Sequence, residues 1–212
     1  MKIDRAGLPF IAAAAVPAAG LAAARKYGWA ASFALLGGFF AYFFRDPDRQ
    51  VPEAPGLVVS PADGRVIVAG PADPATSPPG AWQQIAIFLS PLDVHINRSP
   101  AEGRVTRIQY KPGRFLPAYD AKAGENELNE VWLDSGGTTI VFRQVVGILA
   151  RRIVCRIAEG QQVALGQRMG LMKFGSRMDV FLPLDSELLV SEGQAVVAGE
   201  TVLAVLRNAD AP

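Results

Sequence analysis

Ser176 follows Gly175 in the run Gly170-Leu-Met-Lys-Phe-Gly-Ser-Arg-Met-Asp-Val-Phe-Leu-Pro183, so a hydroxyl sits beside a peptide carbonyl that no side chain shields. Glycine's free φ and ψ also let that peptide adopt strained geometry. The pair is therefore a candidate for attack by a serine on its own backbone. No Gly-x-Ser-x-Gly elbow surrounds Ser176, which disfavours an ordinary serine hydrolase. A turn serine whose upstream peptide is the substrate needs no elbow. Met178, Val180 and Leu182 alternate after it, so the pair reads as a turn between two strands.

Proton transfer is the second kind of chemistry to place. The chain has a single histidine, His95, in Leu89-Ser-Pro-Leu-Asp-Val-His-Ile-Asn-Arg-Ser-Pro100. Any imidazole chemistry near neutral pH falls to it. Taken alone, an isolated histidine is more often a core residue satisfied by a carbonyl, but Asn97, Arg98 and Pro100 describe a polar segment leaving a strand. Asp63 in Val59-Ser-Pro-Ala-Asp-Gly64 reads by itself as a type I turn. Asn126-Glu-Leu-Asn-Glu130 reads as a loop or the start of a short helix.

Composition narrows the setting. A net charge of +1 gives no electrostatic reason to expect nucleic acid. Cys155 is the lone cysteine, so no intrachain disulfide forms, and a Cys-based or His-rich metal site is excluded. No metal is expected.

The apolar residues are concentrated at the N-terminus. Gly7–Ala24 and Gly28–Phe44 carry no charge and are separated by Arg25-Lys26-Tyr27. Each is at the short limit for crossing a hydrocarbon core of roughly 30 Å. A helical hairpin with both outer ends on one side is the simplest geometry, and Phe39–Phe44 resembles an interfacial anchor. A secretory signal would account for residues 1–24 but not for the second run that follows at once. Two core helices are disfavoured, because neither run has a polar face. The domains expected are a membrane-anchoring hairpin over 1–50 and a catalytic β domain over 51–212.

Beyond residue 56, short apolar or alternating stretches are divided by Gly, Pro, Asp and Ser. They include Gly64–Ala69, Gln84–Leu89, Arg104–Tyr110, Thr138–Phe142 and Arg152–Ile157. The prolines of 71–80 mark a surface loop. The expectation is a mainly β fold, an antiparallel β-sandwich or partly closed barrel. Val190–Ala204, with turns at Gly193 and Gly199, resembles a biotinyl/lipoyl-type hairpin, and Glu159-Gly-Gln-Gln-Val163 resembles a weaker copy. Lys173 lacks the Met-Lys-Met context of a carrier lysine, so the hairpins read as structural.

Val59-Ser-Pro-Ala-Asp-Gly64, Leu89-Ser-Pro-Leu-Asp-Val-His95, Asn129-Glu130 and Phe174-Gly-Ser-Arg177 occur in this order in phosphatidylserine decarboxylases. The chain resembles their short, archaeal-type branch over about residues 38–205, including Tyr42-Phe-Phe-Arg-Asp-Pro47. The resemblance implies self-cleavage between Gly175 and Ser176, giving chains 1–175 and 176–212 held as a heterodimer, with Ser176 converted to a pyruvoyl cofactor. It also implies Asp63 and His95 as proton-handling partners. The pyruvoyl group would form a Schiff base with the serine headgroup of a phospholipid and take up the electrons as CO₂ leaves. Two departures stand out. The longer bacterial branch has a second histidine where this chain has Arg98, leaving His95 to serve both steps or Arg98 to bind substrate phosphate or carboxylate. The longer branch also reads Leu-Gly-Ser where this chain has Phe-Gly-Ser. The implied location is the cell membrane, with the β domain on the cytoplasmic side. Two rivals are a decarboxylase of archaetidylserine, which shares the headgroup, and a membrane-anchored biotinyl-like module carrying a modified Lys173.

Overall fold

The computed structural model describes residues 2–147, 152–173 and 176–207. The chain divides into two compact units, Met1–Asp48 and Arg49–Pro212.

The first unit is the helical hairpin. Helices α1 (Leu8–Ala23) and α2 (Tyr27–Phe43) pack on one another. Their outer ends are tied by a short antiparallel pair, β1 (Lys2–Ile3) with β2 (Arg45–Asp46), and by the Asp4 N–H donating to the Phe44 carbonyl at 2.9 Å. Phe10 stacks on Phe44 and meets Phe40 at a tilt. The helices are not core helices. Leu8, Val16, Tyr27, Trp29, Leu35 and Tyr42 are exposed, while only alanines and Phe43 are buried.

The second unit is mainly β, as expected, and its main sheet is antiparallel and curls into a half-barrel. Its strands are β3 (Leu57–Val59), β4 (Gly64–Pro71), β5 (Gln83–Leu89), β6 (Ile96–Arg98), β7 (Gly103–Lys111), β8 (Leu128–Ser135), β9 (Thr138–Val146), β10 (Ile153–Cys155), β11 (Gln162–Val163), β12 (Arg168–Met172), β13 (Ser176–Leu182), β14 (Glu187–Leu188), β15 (Ala195–Val196) and β16 (Val202–Val205). Eight form the main sheet, in the order β11-β7-β8-β9-β13-β5-β4-β15. Two three-stranded sheets, β10-β12-β6 and β14-β16-β3, complete the unit. Strand alternation sends Ile85, Ile87, Leu89, Val131, Leu133, Ile140, Phe142, Met178, Val180 and Leu182 to one face, where all are buried in a single core.

Three sequence expectations change. Asn126–Glu130 is neither loop nor helix start throughout, because β8 begins at Leu128. Ser176 is not in a turn; it is the first residue of β13. The two apolar runs of Val190–Ala204 do not pair with each other. Strand β15 joins β4 at the edge of the main sheet, and β16 joins β3 and β14 in another.

Those last pairings belong to an internal duplication. Ser60-Pro-Ala-Asp-Gly-Arg-Val66 recurs as Ser99-Pro-Ala-Glu-Gly-Arg-Val105. The two segments clasp reciprocally: Val59 N–H donates to the Pro100 carbonyl at 2.8 Å, and Arg98 N–H to the Pro61 carbonyl at 2.9 Å. Ser60 Oγ donates to the Ala62 carbonyl as Ser99 Oγ does to that of Ala101. Val66 exchanges backbone bonds with Gly193 and Gln194 as Val105 does with Gly160 and Gln161. Gly64 and Gly103 share φ near +150°, and a Cβ at either would lie within 2.2 Å of the facing carbonyl oxygen, of Phe88 or of Asp134. Only glycine fits there. The first repeat is β3, β4, β5, β13, β14, β15 and β16, and the second is β6 to β12 without interruption. The second repeat is therefore inserted into the first between Leu89 and Ser176. In the second repeat the equivalent strands, β8 and β9, are joined by a Gly136-Gly137 turn between the paired Ser135 and Thr138.

Candidate active site

Ser176 opens β13, which lies in the middle of the main sheet. It pairs with Leu89 of β5 on one side and Val146 of β9 on the other. It is fully buried, and its Oγ has no hydrogen-bond partner among the described residues. A buried hydroxyl without a partner costs about 1–3 kcal/mol. It persists here on a rigid central strand, where its position is over-determined by two neighbours. Gly175, the other half of the expected cut, lies outside the described residues.

His95 lies between Leu89 and Asn97 in sequence. The turn that carries it is closed by the Ser90 N–H donating to Asp93 Oδ2 at 2.7 Å. Its ring is buried, with Nδ1 2.9 Å from the Asp93 carbonyl oxygen. Its own carbonyl accepts from Met172 N–H, so the β6–β12 ladder continues back to it.

Asp63 stands just ahead of β4. Arg65, Phe88 and Arg177 are in register across β4, β5 and β13, so Asp63 and Ser176 fall at the same end of three adjacent strands. Two strand spacings separate them by about 10 Å at the backbone. Both Asp63 oxygens are engaged. Arg49 Nη2 reaches them at 2.9 and 2.7 Å, and the Ala198 N–H donates to Oδ1 at 2.8 Å. Asp63 makes no hydrogen bond to His95. Arg49 was not singled out by sequence, though it sits in the charged segment Arg45-Asp-Pro-Asp-Arg49 that ends the apolar leader. Arg98 is buried, and its Nη1 donates to the Gly166 carbonyl at 2.9 Å.

Asn129 and Glu130 are adjacent but face opposite sides of the sheet. Asn129 Nδ2 donates to Gln144 Oε1 at 3.2 Å on the Ser176 side. Glu130 lies on the other side, where Arg143, Lys111 and Trp132 Nε1 all donate to it. Burial pushes the Glu130 carboxyl up, but the Trp132 hydrogen bond and the Arg143 and Lys111 contacts outweigh it and hold it below the usual range. Beyond that, Arg177 and Asp179 form a buried bidentate pair on the same side as Glu130.

A cavity of about 880 Å³ opens elsewhere, lined among others by Glu53, Glu102, Arg104, Asp134 and Gly136. It occupies the second repeat's counterpart of the Asp63–Leu89 end and contains none of the candidate catalytic residues.

The second unit is thus a curled antiparallel sheet with a buried serine, unpartnered among the described residues, heading a central strand. The family model for phosphatidylserine decarboxylase matches residues 36–204. Three relatives are each called phosphatidylserine decarboxylase proenzyme. That of Symbiobacterium thermophilum is 47% identical over 95% of this chain and 94% of its own. That of Paramagnetospirillum magneticum is 44% identical over 98% and 88%. That of Solibacter usitatus is 42% identical over 96% and 97%. The chain belongs to the phosphatidylserine decarboxylase family. These relatives are bacterial and of matching length, so the archaeal-type label is not borne out. The carrier-module alternative built on Lys173 gives way to an enzyme.

Proposed function

We infer that the chain is a self-processing, pyruvoyl-dependent phosphatidylserine decarboxylase that converts phosphatidylserine to phosphatidylethanolamine. Family membership gives the reaction, and the relatives' printed name, proenzyme, supports processing into two chains. The observation that carries the reading at residue level is Ser176: a buried, unpartnered hydroxyl at the head of a central strand, directly after the glycine.

Processing begins when Ser176 Oγ adds to the Gly175 carbonyl carbon. The C–N bond then breaks, and the proton from Oγ ends on the freed amine, leaving an ester. Removal of the Ser176 α-proton expels the Gly175 carboxylate by β-elimination. The resulting enamine tautomerises and is hydrolysed, losing ammonia, so residue 176 becomes a pyruvoyl group. When it engages the substrate amine, its ketone supplies the electron sink for CO₂ loss. His95, the chain's one imidazole, delivers the proton that replaces CO₂. Asp63, fixed by Arg49, supplies a carboxylate at the same end of the sheet. Arg98 remains the candidate for the substrate's phosphate or carboxylate.

The hairpin of Met1–Asp48 is proposed to hold the enzyme at the membrane, with the β domain on the cytoplasmic side. In support, Arg5–Ala23 is long and apolar enough to cross a bilayer, and Tyr27–Phe43 is a shorter apolar helix.

Intact mass decides the central claim. The wild type should yield chains 1–175 and 176–212 without added protease, the second with a blocked N-terminus. Ser176→Ala should remain one chain and be inactive. A fully active, uncut wild-type chain would overturn the assignment.

A further inference from the structure

On the Ser176 side of the main sheet lies an ordered line of three buried amides. Asn129 Nδ2 donates to Gln144 Oε1, and Gln144 Nε2 donates to Asn97 Oδ1 at 2.9 Å. Each link fixes the next, so the line has a direction, and it ends on Asn97 Nδ2. That donor is buried and has no acceptor among the described residues. Asn97 and Gln144 are both fully buried.

The register places this donor over the same face of the sheet as Ser176. Gln144 stands opposite Met178, and two residues along the same strands Val146 stands opposite Ser176. Opposed residues and their i±2 neighbours share one face of a sheet. Gln144 and Ser176 therefore share a face, about 7 Å apart along the strand. Asn97 lies over that face, hydrogen-bonded to Gln144 from β6. Thus an unused donor and an unused nucleophile are buried on one side of one sheet. An orphan amide N–H is costly unless some state of the molecule gives it an acceptor.

We propose that Asn97 Nδ2–H donates to the oxyanion formed when Ser176 Oγ adds to the preceding carbonyl, and that Gln144 and Asn129 are positioning residues that aim it. The inference rests on the self-processing reading. As the Oγ–C bond forms, the carbonyl π pair moves onto oxygen. A fixed donor in a water-poor site stabilises that charge at no reorganisation cost. When the C–N bond breaks, the pair returns to the carbonyl of the ester. Asn97 neither gains nor loses a proton.

The test follows cleavage of the full chain, synthesised cell-free, over time and without lipid. Asn97→Asp preserves size and the oxygen that Gln144 needs but removes the donor. Asn97→Ala removes both and guards against misfolding of the charged variant. Each should slow cleavage by about 10²-fold. Gln144→Met, which frees the Asn97 amide to rotate, should slow it less. Hydroxylamine reports the step, because it cleaves the ester. It should fail to rescue Asn97→Asp and Asn97→Ala, since the acyl shift that forms the ester is itself the slowed step. Wild-type cleavage rates in both variants, or full rescue by hydroxylamine, would overturn the role of Asn97 while leaving self-processing intact. An uncut wild type would instead remove the reading beneath it.

Discussion

Arg49 grips both carboxylate oxygens of Asp63, at 2.9 and 2.7 Å, and both side chains are largely buried. The pair ties Arg49 to the end of the sheet where Ser176 heads its strand. If Arg49 acts only through Asp63, the two substitutions should not add. Arg49→Gln and Asp63→Asn should each slow processing, by on the order of tenfold or more, and the double variant should be no slower than the worse single one. Additive losses would separate their roles.

His95 is predicted to matter more for turnover than for fold. His95→Ala, in enzyme that has already been processed, should lose at least about 10²-fold in decarboxylation, the scale for a positioned general acid. The measurement is CO₂ release from phosphatidylserine, normalised to the amount of 176–212 chain. Near-normal turnover would take His95 out of the mechanism.

Glu130 is predicted to make stability depend on pH, because its contacts hold its carboxyl below the usual range. A carboxyl held below its unfolded value stabilises the fold above that value, near 4.5, and the contribution is lost as pH falls through the folded value. Acidification below about pH 4.5 should therefore lower the unfolding midpoint of the wild type. Glu130→Gln should be destabilised at neutral pH, on the order of 3 kcal/mol for a buried charge deprived of its partner, and should show a shallower acid slope. Chemical denaturation at several pH values reads both. An unchanged slope would mean that Glu130 does not carry the acid sensitivity.

Removal of residues 1–44 should release the enzyme from membranes and leave self-cleavage largely intact, because the motifs that carry it all lie beyond. Sedimentation with vesicles and the intact mass measure the two properties separately. A truncated chain that still sediments to the same extent would end the anchoring role of the hairpin.

Much of this was legible from residues. The uncharged runs fixed the helical hairpin, since apolarity on all sides leaves few other fates. Gly64–Ala69, Gln84–Leu89 and Thr138–Phe142 fall within β4, β5 and β9 because alternation is a local signal. Strand β8 was obscured by Asn126–Glu130, whose polar residues draw much of their hydrogen bonding from partners distant in sequence: Val146 for Asn126, Gln144 for Asn129 and Arg143 for Glu130. The same holds for Arg49, whose role exists only once Asp63 is folded beside it. The duplication had a signal, the recurrence of Ser-Pro-Ala-acid-Gly-Arg-Val, but alternation within single strands does not register it. The two short strands around Gly199 look like a hairpin because the sequence does not reveal which distant edge each will complete.

The seam between the repeats gives the cut a further meaning. Strand β13 is hydrogen-bonded on both sides, to β5 and to β9. Severing the chain ahead of it leaves the second repeat whole in the larger piece and divides the first, with β3 to β5 in one piece and β13 to β16 in the other. Cut there as proposed, the mature enzyme would be a fold held together from complementary fragments, each supplying strands that the other lacks. The new chain end would be clamped in the middle of a sheet, between Leu89 and Val146, rather than left on a free tail. The proposed cut would therefore create a reactive terminus without granting it freedom of movement, because the strand it heads stays paired on both sides.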